Sequence, residues 1–481
     1  MFGLGRIERK KKSCSTKWNS TMALRAAVLV NIALTALSTA SAFSVSGRSV
    51  YVEGYFHQKL DHFNPENKEY FEQRYYELHK DYFRDGAPIF LLIGGEGRLD
   101  GILPNFVLQQ ARINNGLIFA LEHRYYGKSF PESGFDGRPT YLSSEQALAD
   151  IAYFIESHKE LYPHSPWIVG GCSYAGNLAT WMRLKYPHLV NGAIAGSAPV
   201  LAKMDFYEYF EVVGEVLKKQ VPLCYQKLVE AKEEMTTLAG TSDGRKELAR
   251  MFRTEEYDSW LADKFHRRLR NSLVDISDNV TIQYLPYYQS YTSVVCTSIT
   301  ENTHGKSVLE ILINMLMHNE TYNSLELITR DDITIGFRQL SDLDGDMWLY
   351  QCCNEFGYFP TLSSDRQPIG VTHDLNDWDE ICQQWNITLE MVEENVRKTN
   401  LRYGGKTPNV TNVVFMHGSN DPWSTLGVLS DLSESARAFV FEGLSHCEPD
   451  RMREYFSKDD VRKPKWMQMF DEIESIIRGW F

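Results

Sequence analysis

Trp167-Ile168-Val169-Gly170-Gly171-Cys172-Ser173-Tyr174-Ala175-Gly176-Asn177 is the stretch that decides the fold. Its first three residues form an apolar, β-favouring run, and over 177–186 the spacing turns helical, so the serine stands at a sharp strand-to-helix turn. Small neighbours at such a turn keep a strained backbone free of clashes and push a hydroxyl out beyond the sheet. The pattern argues for nucleophilic chemistry. A Gly-x-Ser-x-Ala match alone also arises by chance, so its weight depends on what lies downstream.

Downstream, Val413-Val414-Phe415-Met416 leads into His417-Gly418-Ser419-Asn420-Asp421-Pro422-Trp423. Asp421 falls just past a strand end, where Pro422 stops further pairing. Ala438-Phe439-Val440-Phe441 leads into Glu442-Gly443-Leu444-Ser445-His446-Cys447, so His446 lies in the loop after the next strand. Nucleophile, acid and base thus run Ser…Asp…His, the chain order of α/β-hydrolases. His417 precedes the acid inside a tight loop and is not the expected base.

Upstream, apolar strands are expected at 88–93 and 116–121, a helix at 143–161 opened by a Ser143/Gln146 capping box, and a strand at 192–195. Continuous apolar strands alternating with helices mean a parallel sheet covered on both faces. The fold class is therefore α/β: an α/β-hydrolase with a parallel-rich central sheet and an inserted helical cap. From Asp205 to about residue 345 the chain is charged, helical in period and poor in strand runs; strand pattern returns only near Val413. The division expected is 1–42 signal peptide, 43–204 first part of the hydrolase, 205–345 helical cap and 346–481 second part, with a site-lining segment near 350–360.

The chain has 481 residues and is 43% hydrophobic, enough for one large core plus an insertion. Its formal charge is −13, but residues 1–42 hold seven Lys/Arg against one Glu, which leaves the remainder at −19. Such a surface repels nucleic acid. Residues 1–42 read as a targeting segment: Arg25, the apolar stretch 26–37, then the small-residue pattern Ala40-Ser41-Ala42. The basic tract Arg9-Lys10-Lys11-Lys12 is unusual there, and a start at Met22 gives an ordinary signal peptide. A retained signal anchor is the rival reading, disfavoured because the apolar stretch is shorter than the roughly 20 residues a span requires. Secretion or lysosomal delivery follows, with no stable membrane span after cleavage. Sequons at Asn279, Asn319, Asn386 and Asn409 are expected on the surface. Beyond the targeting segment seven cysteines remain, an odd number. Cys224 with Cys296 and Cys353 with Cys382 are the preferred bridges. Cys172, Cys352 and Cys447 are left: a correct triad brings Cys172 and Cys447 near one another, while the narrow geometry of a disulfide favours buried thiols.

At this point a resemblance becomes specific. GGCSYAG (170–176), EHRYYGKSFP (122–131), YLSSEQALAD (141–150), YQCCNEFGYF (350–359), NDPWS (420–424) and LSHC (444–447) resemble the family of lysosomal Pro-X carboxypeptidase, dipeptidyl peptidase II and thymus-specific serine protease. The thymus-specific branch is the most alike, and the likeness runs from about Gly54 through Asp450. It implies a capped α/β-hydrolase with serine peptidase activity on short peptides, often after proline. It makes Ser173 the nucleophile, Asp421 the orienting acid and His446 the base, the three already chosen from the residues. The N–H of Tyr174 and one from the 94–97 loop, at Gly95 or Glu96, would hold the oxyanion, unless that loop is a plain turn. By the resemblance Trp423 walls the primary pocket, unless it is a core tryptophan after a turn. Proline-specific relatives carry apolar side chains four residues after the nucleophile and five after the cysteine of Tyr-Gln-x-Cys; here stand Asn177 and Tyr358, polar groups that put proline preference in question. Glu355 either binds a substrate terminus or organises its loop, and Glu122 with Arg124 reads as a structural ion pair. Asp342-Leu343-Asp344-Gly345-Asp346 mimics a calcium loop with glycine in the wrong place, so no metal and no cofactor are expected. Peptides are the expected partners, with a homodimer open. Two further readings stay open: an esterase or lipase on the same fold, and a catalytically silent binding protein.

Overall fold

Apolar runs of five or six residues, buried on both faces, build the centre of the molecule. A computed structural model describes residues 51–78, 83–102, 105–132, 137–266, 268–269, 291–301, 305–318, 342–371, 375–451, 453 and 460–481. The strands of its main sheet are β1 (Val52–Lys59), β2 (Tyr70–Leu78), β3 (Ile89–Ile93), β4 (Leu117–Leu121), β5 (Trp167–Cys172), β6 (Gly192–Gly196), β9 (Val413–Gly418) and β10 (Ala436–Phe441). Their spatial order is β1-β2-β4-β3-β5-β6-β9-β10, antiparallel from β1 through β2 to β4 and parallel from β4 onward. Two short strands, β7 (Lys203–Asp205) and β8 (Gly357–Phe359), pair separately.

Alternation along each strand sorts side chains into two cores. On one face Phe90, Ile118, Ile168, Ile194 and Val414 pack with helices α1 (Phe106–Ile113) and α12 (Lys463–Arg478) through Phe106, Phe470 and Ile473. On the other Leu91, Phe119, Val169, Ala195 and Phe415 meet α2 (Ser144–Lys159) and α3 (Tyr174–Lys185) through Phe154, Leu178 and Trp181. Strands β3, β4, β5, β6 and β9 are therefore buried on consecutive residues, as a doubly covered parallel sheet requires.

β1 and β2 escape a reading by apolar runs. Strand β2 carries Glu72, Gln73, Arg74 and Glu77 within nine residues, and its buried polar side chains pair within the sheet: the Gln58 amide donates to Gln73 Oε1 at 2.8 Å, and Arg74 pairs with Glu122, although Arg74 Nε is buried without a hydrogen-bond partner. The expected Glu122–Arg124 pair does not form. Arg124 instead donates to Asp150 on α2 (2.6 Å), and Glu122 also accepts from Ser129 Oγ (2.7 Å). Only half of the capping box forms: Gln146 N–H donates to Ser143 Oγ, while the Gln146 side chain reaches Asp61 and the N–H of His62.

Between β6 and β9 the chain leaves the sheet. Helices α4 (Glu208–Gln220), α5 (Pro222–Ala239), α6 (Ser242–Phe252), α7 (Tyr291–Glu301), α8 (Val308–His318), α9 (Asp342–Gln351), α10 (Leu375–Gln383) and α11 (Leu389–Tyr403) lie there. Helical structure thus continues to Tyr403, well past residue 345, because β9 is the next strand able to join the sheet. Cys224 on α5 is bonded to Cys296 on α7, and Cys353 to Cys382 on α10. The aspartate-rich segment singled out as a calcium-loop mimic falls in α9. The targeting segment and the sequons at Asn279 and Asn319 lie outside the described residues; Asn386 and Asn409 are exposed.

Candidate active site

Connections in this sheet reverse direction at β3. The chain steps from β3 outward to β4, then returns past β3 to β5, so the crevice for a ligand opens at the carboxyl ends of β3 and β5. The 94–97 loop leaves β3 and the serine turn leaves β5. A Cβ on Gly95 would stand 3.7 Å from Ala175 Cβ, which places the 94–97 loop beside the start of the helix that follows the serine.

Ser173 has φ 58° and ψ −129°, a left-handed conformation that side chains rarely adopt. The turn holds it there with hydrogen bonds and with missing side chains. Ser173 N–H donates to Gly196 O at 2.9 Å. A Cβ at Gly171 would come within 2.7 Å of Ala175 Cβ, and one at Gly176 within 2.7 Å of Gly196 O. Tyr174, the next residue, is buried and anchored by its hydroxyl. His123 Nδ1 lies 2.7 Å from Arg124 O, so it carries the proton; Nε2 then accepts from Tyr174 OH (3.0 Å), which in turn accepts from Gln351 Nε2 (3.0 Å). Tyr126 OH closes the chain on Gln351 Oε1 at 2.6 Å. Burial pushes the His123 imidazole down to about 4, in keeping with this neutral tautomer.

Asp421 is fully buried after β9 and caps the 3-10 turn Pro422–Leu426 by accepting from Trp423 N–H at 2.9 Å. Its two carboxylate oxygens each lie 3.0 Å from His446 Nδ1. A carboxylate only accepts, so Nδ1 carries the proton and Nε2 is the unprotonated nitrogen. The histidine loop sits directly on the end of β9: a Cβ at Gly418 would be 2.2 Å from Leu444 O, and Asn420 N–H donates to Leu444 O at 2.9 Å. His417 is buried within that strand, its imidazole pushed down to about 4 by burial. On the far side, Cys447 is disulfide-bonded to Cys172 with Cα atoms 5.8 Å apart. The residue before Ser173 and the residue after His446 are therefore covalent neighbours. Cys352 is a buried free thiol.

An aromatic wall flanks this centre. Trp423 lies 6.1 Å, ring to ring, from His446, 5.4 Å edge-on from Tyr358 and 5.3 Å from Phe206. Tyr358 follows a π-helical turn, Cys352–Phe356, and itself has φ 58°. Its hydroxyl donates to Pro199 O and accepts from Asn177 Nδ2 at 3.2 Å. Asn177 stands one helical turn after Ser173; its Nδ2 also reaches Pro199 O, and its Oδ1 is buried without a hydrogen-bond partner. Glu96 belongs to the loop after β3; burial raises its carboxyl above the usual range, opposed by its own backbone N–H and by the nearby His446. Glu355 turns away from the cleft chemistry toward α2, where its carboxyl accepts from Ser144 N–H (2.8 Å) and Oγ (2.6 Å). Burial pushes it up to about 7. The hydrogen-bond partners Gln351, His123 and Tyr126 were not singled out from the sequence as site residues, although Gln351 stands inside the quoted Tyr-Gln-x-Cys motif. Among the described residues no group of three or more His, Cys, Asp or Glu is placed to hold a metal ion.

An α/β-hydrolase sheet with a serine elbow after β5 and a histidine–aspartate pair on the loops after β9 and β10 defines a class, that of serine hydrolases. The particular lineage comes from the whole chain. It belongs to the serine carboxypeptidase S28 family, whose model matches residues 58–462. It is 31% identical over 433 residues to mouse thymus-specific serine protease, covering 82% of each chain. To human lysosomal Pro-X carboxypeptidase it is 30% identical over 420 residues, again 82% of each. Among solved structures, the proline iminopeptidase of Mycobacterium smegmatis aligns with 85% of this chain and 95% of its own at 12% identity, with a TM-score of 0.35. The protein is a serine-type peptidase.

Proposed function

We propose that the protein is an exopeptidase of the secretory pathway or lysosome that hydrolyses short peptides through an acyl-enzyme at Ser173. His446 Nε2 takes the hydroxyl proton as Ser173 Oγ attacks the carbonyl and returns it to the leaving amine. Asp421 fixes the tautomer and stabilises the imidazolium. The oxyanion is held by the N–H of Tyr174 and by one from Gly95 or Glu96. Trp423 walls the pocket for the residue preceding the cleaved bond, with Tyr358 and Asn177 behind it, and the described helices between 205 and 345 cap the cleft. Water then releases the acyl group. Three disulfides support passage through an oxidising compartment.

The observation that carries the reading is the bond between Cys172 and Cys447: it seats the histidine loop on the serine turn while His446 Nδ1 lies 3.0 Å from Asp421. A fluorophosphonate probe is expected to label wild-type protein and not Ser173→Ala, and peptidase kcat/KM is expected to fall by about 10⁴-fold or more. Equal labelling of both would end the proposal. Turnover of acyl esters without any peptide cleavage would replace it with an esterase.

A further inference from the structure

We infer that the Cys172–Cys447 disulfide is a positioning element of the catalytic centre, and that opening it in the folded protein slows turnover. The inference rests on Ser173 and His446 acting as proposed above. His446 comes from the loop after β10, at the edge of the sheet, whereas Ser173 follows β5; β6 and β9 lie between them. The loop must therefore reach back across two strands. On the β9 side it is held by Asn420, whose N–H and side-chain amide donate to Leu444 O and Gly443 O (2.9 and 3.0 Å), and by the His446–Asp421 contact. Toward the serine turn it is held by the disulfide and by Cys447 N–H donating to Ser197 Oγ at 3.0 Å.

The backbone around that link is under strain. Ser173, Ser197 and Cys447 have φ of 58°, 42° and 58°, none of them glycine, and the three sit together at the ends of β5 and β6 and in the histidine loop. Such conformations persist only where the surroundings over-determine them. Releasing the covalent link lets the loop relax at Cys447, one residue from the base. Neighbouring sheet strands and both cores do not depend on the bond, so the fold survives its loss while the distance from Nε2 to the serine hydroxyl does not. The bond is also within reach of small thiols. Both of its cysteines are partly exposed, whereas Cys353 and Cys382 are buried and Cys224 is buried beside a partly exposed Cys296. A dithiol reductant supplies the two electrons: its thiolate attacks one sulfur, the second thiol displaces the mixed disulfide, and the protein is left with two thiols while the reductant closes its own ring.

The test uses the full-length oxidised enzyme, first confirmed to lose fluorophosphonate labelling in Ser173→Ala. Dithiothreitol treatment, with the reduced pair located by alkylation and mass spectrometry, is expected to lower kcat roughly ten- to hundredfold, the cost of a misplacement of about 1 Å. KM should change less than about twofold, because the wall around Trp423 is untouched. Reoxidation should restore kcat, and Cys172→Ala/Cys447→Ala should show the lowered kcat and no further response to the reductant. A reduced pair with unchanged kcat, a bond that stays closed under excess dithiol, or a double variant with wild-type kcat overturns the inference and leaves the Ser173 reading intact. A double variant that does not fold leaves the decision to the reduction and reoxidation of wild type. Labelling that does not depend on Ser173 defeats the catalytic reading instead.

Discussion

Asp421 and Tyr358 show how much single side chains decide here. Asp421 is held by Trp423 N–H while it receives His446 Nδ1–H, so replacing it by asparagine keeps the shape and offers the ring an amide that favours the wrong tautomer. Asp421→Asn is expected to lower kcat by about 10³–10⁴-fold with folding intact, read by steady-state kinetics beside circular dichroism. Retention of more than a tenth of the activity would detach Asp421 from the reaction. In the proposed reading, Tyr358 and Asn177 govern what the pocket accepts. Their hydrogen bonds to Pro199 and to each other tie polar groups behind Trp423, where a pyrrolidine ring offers no donor or acceptor. Asn177→Met/Tyr358→Met is expected to raise kcat/KM for proline before the cleaved bond relative to alanine by about tenfold, the worth of a well-filled apolar contact. A peptide pair differing only at that residue measures the ratio, and an unchanged ratio places selectivity elsewhere.

At the level of elements, the serine turn is the piece whose geometry leaves least room. A methyl at Gly171 would meet Ala175 Cβ at 2.7 Å and its backbone at 2.9 Å, so β5 and α3 would have to part. Gly171→Ala is expected to lower activity at least tenfold by displacing a strained serine, with thermal denaturation showing a folded protein; wild-type kcat would mean that the helix yields without moving Ser173. The same turn shows what was legible beforehand. β3 to β6 and β9 announce themselves as apolar runs because a doubly covered parallel strand has no polar face to interrupt it, and the partly covered edge strand β10 still shows a run from Ala438 to Phe441. β1 and β2 have polar faces paired inside the sheet, Gln58 with Gln73 and Arg74 with Glu122, and their alternation is hidden under charge. Ser173, Asp421 and His446 were readable because each follows such a run. Cys172 and Cys447 were readable as neighbours only through those assignments, and their bond could not be told from two buried thiols by spacing alone. The hydrogen-bond chain Tyr126–Gln351–Tyr174–His123 was not legible, since its members are 177 and 225 positions apart at its long links and nothing in the quoted motifs says that they meet.

Across the whole molecule, buried ionisable groups of opposite kind set how stability follows pH. Glu355 is held protonated up to about 7 and so is Asp450, in both cases because burial disfavours the charge. A raised carboxyl means that the folded state keeps a proton the unfolded chain gives up, so their contribution is full below the ordinary carboxyl range and is lost as pH rises toward about 7. His123 and His417, pushed down to about 4, act in the other direction: their contribution is present above the ordinary 6.5 and is lost as pH falls toward about 4. For these four groups the opposing slopes largely cancel between about 4.5 and 6.5, and above that the carboxyl slope stands alone until about 7. Glu355 isolates one of the two opposing slopes. Glutamine reproduces its protonated form: Oε1 accepts from Ser144 N–H, and Ser144 Oγ, which donates to the carboxyl in wild type, turns its proton to Tyr403 OH and accepts from Nε2. A shift from 4.5 to about 7 corresponds to up to about 3 kcal/mol at neutral pH, so Glu355→Gln is expected to raise the urea midpoint relative to wild type at pH 7.5 and to leave it nearly unchanged at pH 4.5. Parallel curves for the two proteins across that interval would show that Glu355 is ionised in the folded state and that Ser144 and Arg402 stabilise its charge.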